Sequence, residues 1–219
     1  MADVKTQVLV VDAAEPDPSA IQAAAAVIRE GGLVVVPTDS VYGLVCDPSQ
    51  PKAVDSIYRV KQRRREVPLV LLLHDMAQVS SLIEEVPESA VVAMQHFWPG
   101  ALTVVVRDRG AATAAVRARK DSVGLRLPAH MVPRLVAEAA GCALASTSAN
   151  RSGRPSPATA QEALSEISGL VPLVLDAGPA PLGRESTVVD FTRKPPRVLR
   201  LGAIPVTRLR EVLGEVREK

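Results

Sequence analysis

Lys61 and Arg63, with Arg64 and Arg65 beside them, form a knot of positive charge in I-Y-R-V-K-Q-R-R-R-E-V-P-L-V-L-L-L (57–73), where an amphipathic helix gives way to an apolar strand. Two like charges about 4 Å apart repel by about 1 kcal/mol in water and about 4 kcal/mol near a protein surface. Splayed into solvent, the run is only a wet face. Drawn together by the fold, it needs an anion among its members. Other polar residues gather at strand ends and strengthen the second reading. They are Thr38, Asp39, Ser40 and Tyr42; Ser122 and Arg126; Thr147, Ser148 and Asn150; Ser186 and Thr187; and Arg200. Taken singly, each hydroxyl also reads as a turn or cap residue. Arg126, inside the apolar V-G-L-R-L-P, either points outward or meets a carboxylate or phosphate, because burying it unpaired costs several kcal/mol.

The recognised phosphate and nucleophile devices are missing. There is no G-x-x-x-x-G-K-[ST], no G-x-G-x-x-G after a strand and no G-x-S-x-G elbow. His74, His96 and His130 lack metal-ligand spacing, so no protein metal site is expected. Cys46 and Cys142 lie outside any C-x-x-C and read as reduced thiols of a cytoplasmic protein. The chemistry implied is cationic and hydroxyl-lined, suited to positioning anions and neutralising phosphate charge.

Strands are expected at 7–11, 33–36, 68–73, 101–107, 123–127, 143–146, 172–176, 186–190 and 197–200. Helices are expected at 20–30 (capped by Ser19, ended by Gly31 and Gly32) and 52–62 (capped by Ser49, opened by Pro51). Further helices run from Pro87 to near Phe97, over 131–140 before Gly141, from Thr159 to about Ser168, and after Pro205. The stretch 111–119 reads as a helix or a mobile excursion, and 147–157 as a polar loop. Alternating strands and helices predict an α/β fold, a twisted sheet flanked by helices. The helix-free run of strands near the end makes the sheet mixed. In such sheets ligands sit where strands end.

The 219 residues suit one large domain, 1–219. Only 2% are aromatic, so the core must be Ala, Val, Leu and Ile. A net charge of +2 is too mild to advertise nucleic-acid binding. No apolar run approaches the roughly 20 residues of a membrane span, and no secretory signal opens the chain.

Several strings carry a resemblance. P-T-D-S-V-Y-G-L (37–44), K-Q-R (61–63), P-L-V (68–70) and F-W-P-G-A-L-T (97–103) come first. V-G-L-R-L-P-A-H (123–130), S-A-N-R-S-G-R-P-S-P (148–157), E-S-T-V-V-D (185–190) and L-R-L-G-A-I (199–204) complete the set. In this order, over about 20–204, the chain resembles the YrdC-type threonylcarbamoyl-AMP synthases. The resemblance implies a single YrdC-like catalytic domain with a positively charged concave face and no additional C-terminal domain. It implies the reaction of L-threonine, bicarbonate/CO2 and ATP, with Mg2+, to give L-threonylcarbamoyl-AMP and pyrophosphate. That adenylate is handed to a separate tRNA threonylcarbamoyl transferase acting at adenosine 37.

The resemblance places a catalytic K-x-R, S-x-N tetrad on Lys61, Arg63, Ser148 and Asn150. It places threonine contacts on Ser40, Arg126, Ser148 and Ser186. Nucleotide contacts fall on Lys61, Arg63, Ser122, Asn150 and Arg200, with lesser contributions from Val67 and Ala158. Three departures stand out. Ser40 replaces a Thr and keeps its hydroxyl. K-Q-R-R replaces K-G-R-P. Leu72 stands where many members carry a threonine-contacting His, with His74 two residues on and on the same face if the strand continues. Two other readings compete: a non-catalytic RNA-binding module using the same basic concavity, and another carbamoyl-adenylate enzyme on this fold.

Overall fold

A computed structural model describes residues 4–108, 110, 114–117 and 121–218. Its strands are β1 (Gln7–Val10), β2 (Val34–Val36), β3 (Gly43–Cys46), β4 (Val70–Leu72) and β5 (Leu102–Arg107). They continue with β6 (Ser122–Arg126), β7 (Leu144–Ser148), β8 (Leu173–Asp176), β9 (Thr187–Asp190) and β10 (Arg197–Arg200). The helices are α1 (Pro18–Arg29), α2 (Pro51–Lys61), α3 (Ala77–Leu82), α4 (Glu88–Phe97), α5 (Met131–Ala140), α6 (Ala160–Ile167) and α7 (Val206–Leu213). All ten strands join one sheet in the order β1-β8-β2-β3-β7-β4-β6-β5-β9-β10. The expected α/β fold with a mixed sheet is borne out. The helix-free pair β9/β10 is antiparallel, and the mixing extends through the centre: β2/β3, β3/β7, β7/β4 and β6/β5 are antiparallel, while β8/β2 and β4/β6 are parallel.

Alternation along the strands sorts side chains onto two faces. Leu44, Leu71, Ala145, Val104 and Leu125 pack beneath α2, α4 and α6. Val34, Val36, Val45, Leu72, Leu144 and Leu173 pack beneath α1 and α5, whose contact residues include Ala20, Ala24, Ile28, Val132 and Val136. Each such aliphatic side chain contributes about 1.5–3 kcal/mol when fully buried, so small residues in number replace the missing aromatics. No described helix is long and apolar enough to cross a membrane.

Two elements escaped the sequence pattern. β3 hides behind Tyr42–Gly43 in a stretch that reads as turn, and α3 spans only six residues. Two caps also move. Asp17, not Ser19, caps α1, its side chain accepting from the Ser19 N–H. Gln50 precedes α2, while the Ser49 hydroxyl donates instead to Asp47 Oδ1 at 2.7 Å. Thr159 caps α6 as expected, in a capping box with Glu162. β7 runs on to Ser148, so Thr147 and Ser148 belong to a strand rather than to the loop. Of the stretch 111–119 only 114–117 lies within the described residues, and Val116 there is buried, its carbonyl accepting from Leu69 N–H.

Candidate active site

α1 and α5 cover one half of their sheet face; over β7, β4, β6 and β5 that face opens into a cavity of about 350 Å³. Strand parity chooses its floor. Ser146 and Ser148 share the parity of Leu144, Val70 that of Leu72, and Arg126 that of Gly124. Gly124 keeps the floor clear, since a Cβ there would stand 3.3 Å from Thr103 Cγ2.

The K-x-R spacing works through a break in the helix. In a continuing helix, residues 61 and 63 would project about 200° apart. Gln62 instead takes a left-handed conformation with φ 51°, the Arg63 N–H reaches back to the Tyr58 carbonyl, and both cations line the cavity. Lys61 is 2% exposed. Its ammonium donates to the Ser148 carbonyl, to the Asn150 carbonyl at 2.7 Å and to Asn150 Oδ1 at 3.1 Å. Burial, reinforced by the Arg63 charge and opposed by Glu185, pushes its pKa down to about 7. Ser148 Oγ donates to the same Asn150 Oδ1 at 2.6 Å. Arg63 donates to Thr147 Oγ1 at 2.6 Å and to the Pro68 carbonyl at 3.3 Å, and burial lowers its pKa.

Arg126 meets a carboxylate, and that carboxylate belongs to the protein. Nη2 lies 2.7 Å from Asp39 Oδ1, Nη1 donates to Ser40 Oγ at 2.7 Å, and Nε donates to the Gly100 carbonyl at 3.0 Å. Three of its five N–H groups are thus committed and two remain. Thr38 spends its hydroxyl proton on the Val41 carbonyl, so Ser40 donates to Thr38 Oγ1 and accepts from Arg126. Asp39 Oδ1 also accepts from Ala129 N–H, while Oδ2 is buried without a hydrogen-bond partner.

On the far wall, Ser186 Oγ sits 2.9 Å from Thr103 Oγ1 and accepts from Arg200 at 3.1 Å. Arg200 also pairs with Glu185 at 2.7 Å, and Ser156 donates to that carboxylate at 2.6 Å. Gly202 sits hard against this wall. A Cβ there would land on the backbone of Glu185 and Ser186.

Ser40, Lys61, Arg63 and Arg126 therefore line one cavity with Ser148, Asn150, Ser186 and Arg200. Ser122 lies elsewhere, four residues up β6 from Arg126, about 13 Å along the strand. Val67 and Ala158 are likewise outside the lining. Leu72 lines the cavity as an apolar wall. β4 ends there, and His74 lies outside the lining with its ring beside Asp75 at 3.4 Å. Arg64 and Arg65 form exposed pairs with Glu66 and Asp55, which contribute little. The thiols are inert to this chemistry, since burial raises the pKa of Cys46 and pushes Cys142 up to about 12.

Asp39 and Thr147 were marked only as polar strand-end residues, and Thr103, Ser156 and Glu185 were not singled out at all. For Asp39 a signal existed: a strand arginine that must be paired when buried demands a carboxylate near another strand end. The others depend on which strands become neighbours.

The family model Sua5–YciO–YrdC, described as "Telomere recombination", matches residues 26–202. The threonylcarbamoyl-AMP synthase of Pyrococcus abyssi is 36% identical over 197 residues, 90% of this chain and 58% of its own. A putative threonylcarbamoyl-AMP synthase of Mycobacterium leprae is 37% identical over 210 residues, 94% of each chain. The crystal structure of P. abyssi Sua5 complexed with L-threonine superposes with a TM-score of 0.94 at 34% identity, covering 97% of this chain and 62% of that one. This chain thus spans less than two thirds of the Pyrococcus protein and nearly all of the mycobacterial one. A family match across most of the chain, together with these likenesses, places it: the chain belongs to the Sua5–YciO–YrdC family.

Proposed function

We propose that this chain condenses L-threonine, bicarbonate/CO2 and ATP into L-threonylcarbamoyl-AMP, releasing pyrophosphate. The observation that carries the reading is the meeting of Arg126 and Ser40, the Lys61–Arg63–Ser148–Asn150 cluster, and Ser186 with Arg200 in one cavity. Threonine carboxylate, carbamate and triphosphate are all anions, and gathering them is the main obstacle. The two uncommitted N–H groups of Arg126 suit the amino-acid carboxylate. The Ser40 and Ser186 hydroxyls suit its side chain or ammonium. Val70 and Leu72 offer a methyl-sized apolar wall, worth about 1–3 kcal/mol of preference for threonine over serine.

Threonine amine and CO2 give a carbamate and a proton. A carbamate oxygen then attacks the α-phosphorus as the bond to pyrophosphate breaks. Arg63 faces the charge that builds there. Lys61, with its ammonium held by three acceptors, fixes the Ser148–Asn150 turn and supplies positive charge from beneath it. Holding the unstable carbamate against ATP supplies several kcal/mol as effective concentration. Ser122, Val67 and Ala158, beyond the lining, are proposed contacts for the nucleoside end. Among the described residues no group of three or more His, Cys, Asp or Glu could hold a metal, and the one lining carboxylate, Glu185, is paired to Arg200. These residues do not make a protein Mg2+ cage; Mg2+ enters as the counter-ion of ATP, and no step here runs through it. The product passes to a tRNA threonylcarbamoyl transferase, for modification of adenosine 37.

Pyrophosphate release should require both threonine and bicarbonate, and Arg63→Ala should slow it by about a hundredfold or more. Equal release without either substrate, or tight salt-sensitive RNA binding with no release, overturns the proposal.

A further inference from the structure

Among the described residues, five basic side chains line the cavity: Lys61, Arg63, Arg126, Arg154 and Arg200. Four of them are already employed by the protein. Lys61 is held by Ser148 and Asn150, Arg63 by Thr147 and Pro68, Arg126 by Asp39, Ser40 and Gly100, and Arg200 by Glu185 and Ser186. Arg154 differs, because its guanidinium has no hydrogen bond or ion pair within the described protein, although its residue lines the same cavity.

An exposed arginine is ordinarily just solvated. Here its backbone is built into the site. Asn150 Nδ2 donates to the Arg154 carbonyl at 2.6 Å and to the Arg151 carbonyl at 3.1 Å. The Oδ1 of the same amide accepts from Lys61 and Ser148, so Arg154 stands one side chain away from the buried ammonium. Ser152 N–H donates to the Lys61 carbonyl at 2.9 Å, and Gly153 supplies the left-handed turn, φ 86°, just before Arg154. The loop is thus pinned to the Lys61 end of α2 on both sides of Gly153, and it carries a charge with nothing to hold.

We propose that Arg154 grips the phosphates of the nucleotide tail, the part that leaves as pyrophosphate. The inference rests on the function proposed above and adds to it a residue with no other assigned role. Chemically the division is sensible. The paired cations form a fixed floor whose geometry is set before substrate arrives, and Arg154 supplies donors uncompensated by any acceptor among the described residues. Its long side chain reaches from a rigid loop, so it can follow a leaving group as the bond to the α-phosphorus lengthens.

The test is calorimetric titration of the whole chain with inorganic tripolyphosphate at fixed ionic strength, beside titration with L-threonine. Arg154→Ala should weaken tripolyphosphate binding by about ten- to a hundredfold, as loss of a charge-assisted contact does. Arg154→Lys should recover part of it, threonine affinity should hold, and KM for ATP should rise more than kcat falls. Coincident thermal unfolding of the variant and the unaltered chain shows that the loop is intact. Equal tripolyphosphate affinity in Arg154→Ala overturns the inference while leaving the proposed function standing. Failure of the unaltered chain to bind tripolyphosphate or ATP overturns both. Weakened binding of a short single-stranded RNA with unchanged tripolyphosphate binding also overturns it, and assigns Arg154 to RNA instead.

Discussion

A buried ammonium surrounded by three acceptors is pulled two ways. Burial, then the Arg63 charge, favour the neutral form of Lys61, Glu185 favours the charged one, and the balance falls at about 7 instead of 10.5. Between these values the unfolded chain binds more protons than the folded one, so Lys61 makes stability rise with pH across that window. Below pH 7 the charged group carries its full burial cost in the fold; above about 10.5 that cost has gone. Lys61→Met should therefore flatten the curve: the difference in urea midpoint between the two proteins should shift steadily from pH 6.5 to pH 9, and a constant difference would refute the linkage. Residue types of this kind could be read in advance. Arg126 was readable as a residue that either points outward or meets an anion, but nothing in V-G-L-R-L-P says that Asp39, 87 positions away, answers it. Thr147 and Glu185 were invisible as partners of Arg63 and Arg200 for the same reason, since their contacts exist only after strands are ordered.

Among the elements, α2 does the most to shape the site, and it does so by stopping. A non-glycine residue in the left-handed region costs about 1–2 kcal/mol, and Gln62 carries that cost so that Lys61 and Arg63 can face the same space. Gln62→Gly should raise the unfolding free energy by about 0.5–1 kcal/mol with activity retained, whereas Gln62→Val, β-branched where φ must be positive, should lower it and slow pyrophosphate release. Equal stability for both variants would mean that the turn is not strained. Most elements were legible from periodicity and caps: Thr159 announced α6, and Gly141 ended α5 with φ 75°. The hidden strand has a plain physical cause. Where a strand is short and bordered by hydroxyls, as β3 is, the residues that give the site its polarity look like turn chemistry. The site itself concealed the strand that helps to build it.

At the scale of the molecule, the decisive arrangement is a sheet face that its two helices cover only in part. α1 and α5 pack small alanines against the first half, and the uncovered half becomes the cavity. The alternation of strands and helices was enough to foresee α/β layering, and the helix-free late strands to foresee a mixed sheet. The strand order was not foreseeable, because β7 sits between β3 and β4, pairing Gly43 with Ser148 and Val70 with Ser146 across long stretches of chain. Closer in sequence, the chain after β10 comes back across the start of β9, with Gly202 laid directly on the backbone of Glu185 and Ser186 and its N–H given to Thr187 Oγ1 at 3.0 Å. In a saturation library this makes Gly202 a position of near-zero tolerance that contributes no side chain to any ligand. Even Gly202→Ala should cost about 1–3 kcal/mol and loosen the Ser186–Arg200 wall, measurable as a lower Tm with a higher KM. Tolerance of alanine there would show that the crossing yields. An intolerant glycine of this kind is an imprint of topology, and a survey of substitutions would register it as strongly as a residue that touches substrate.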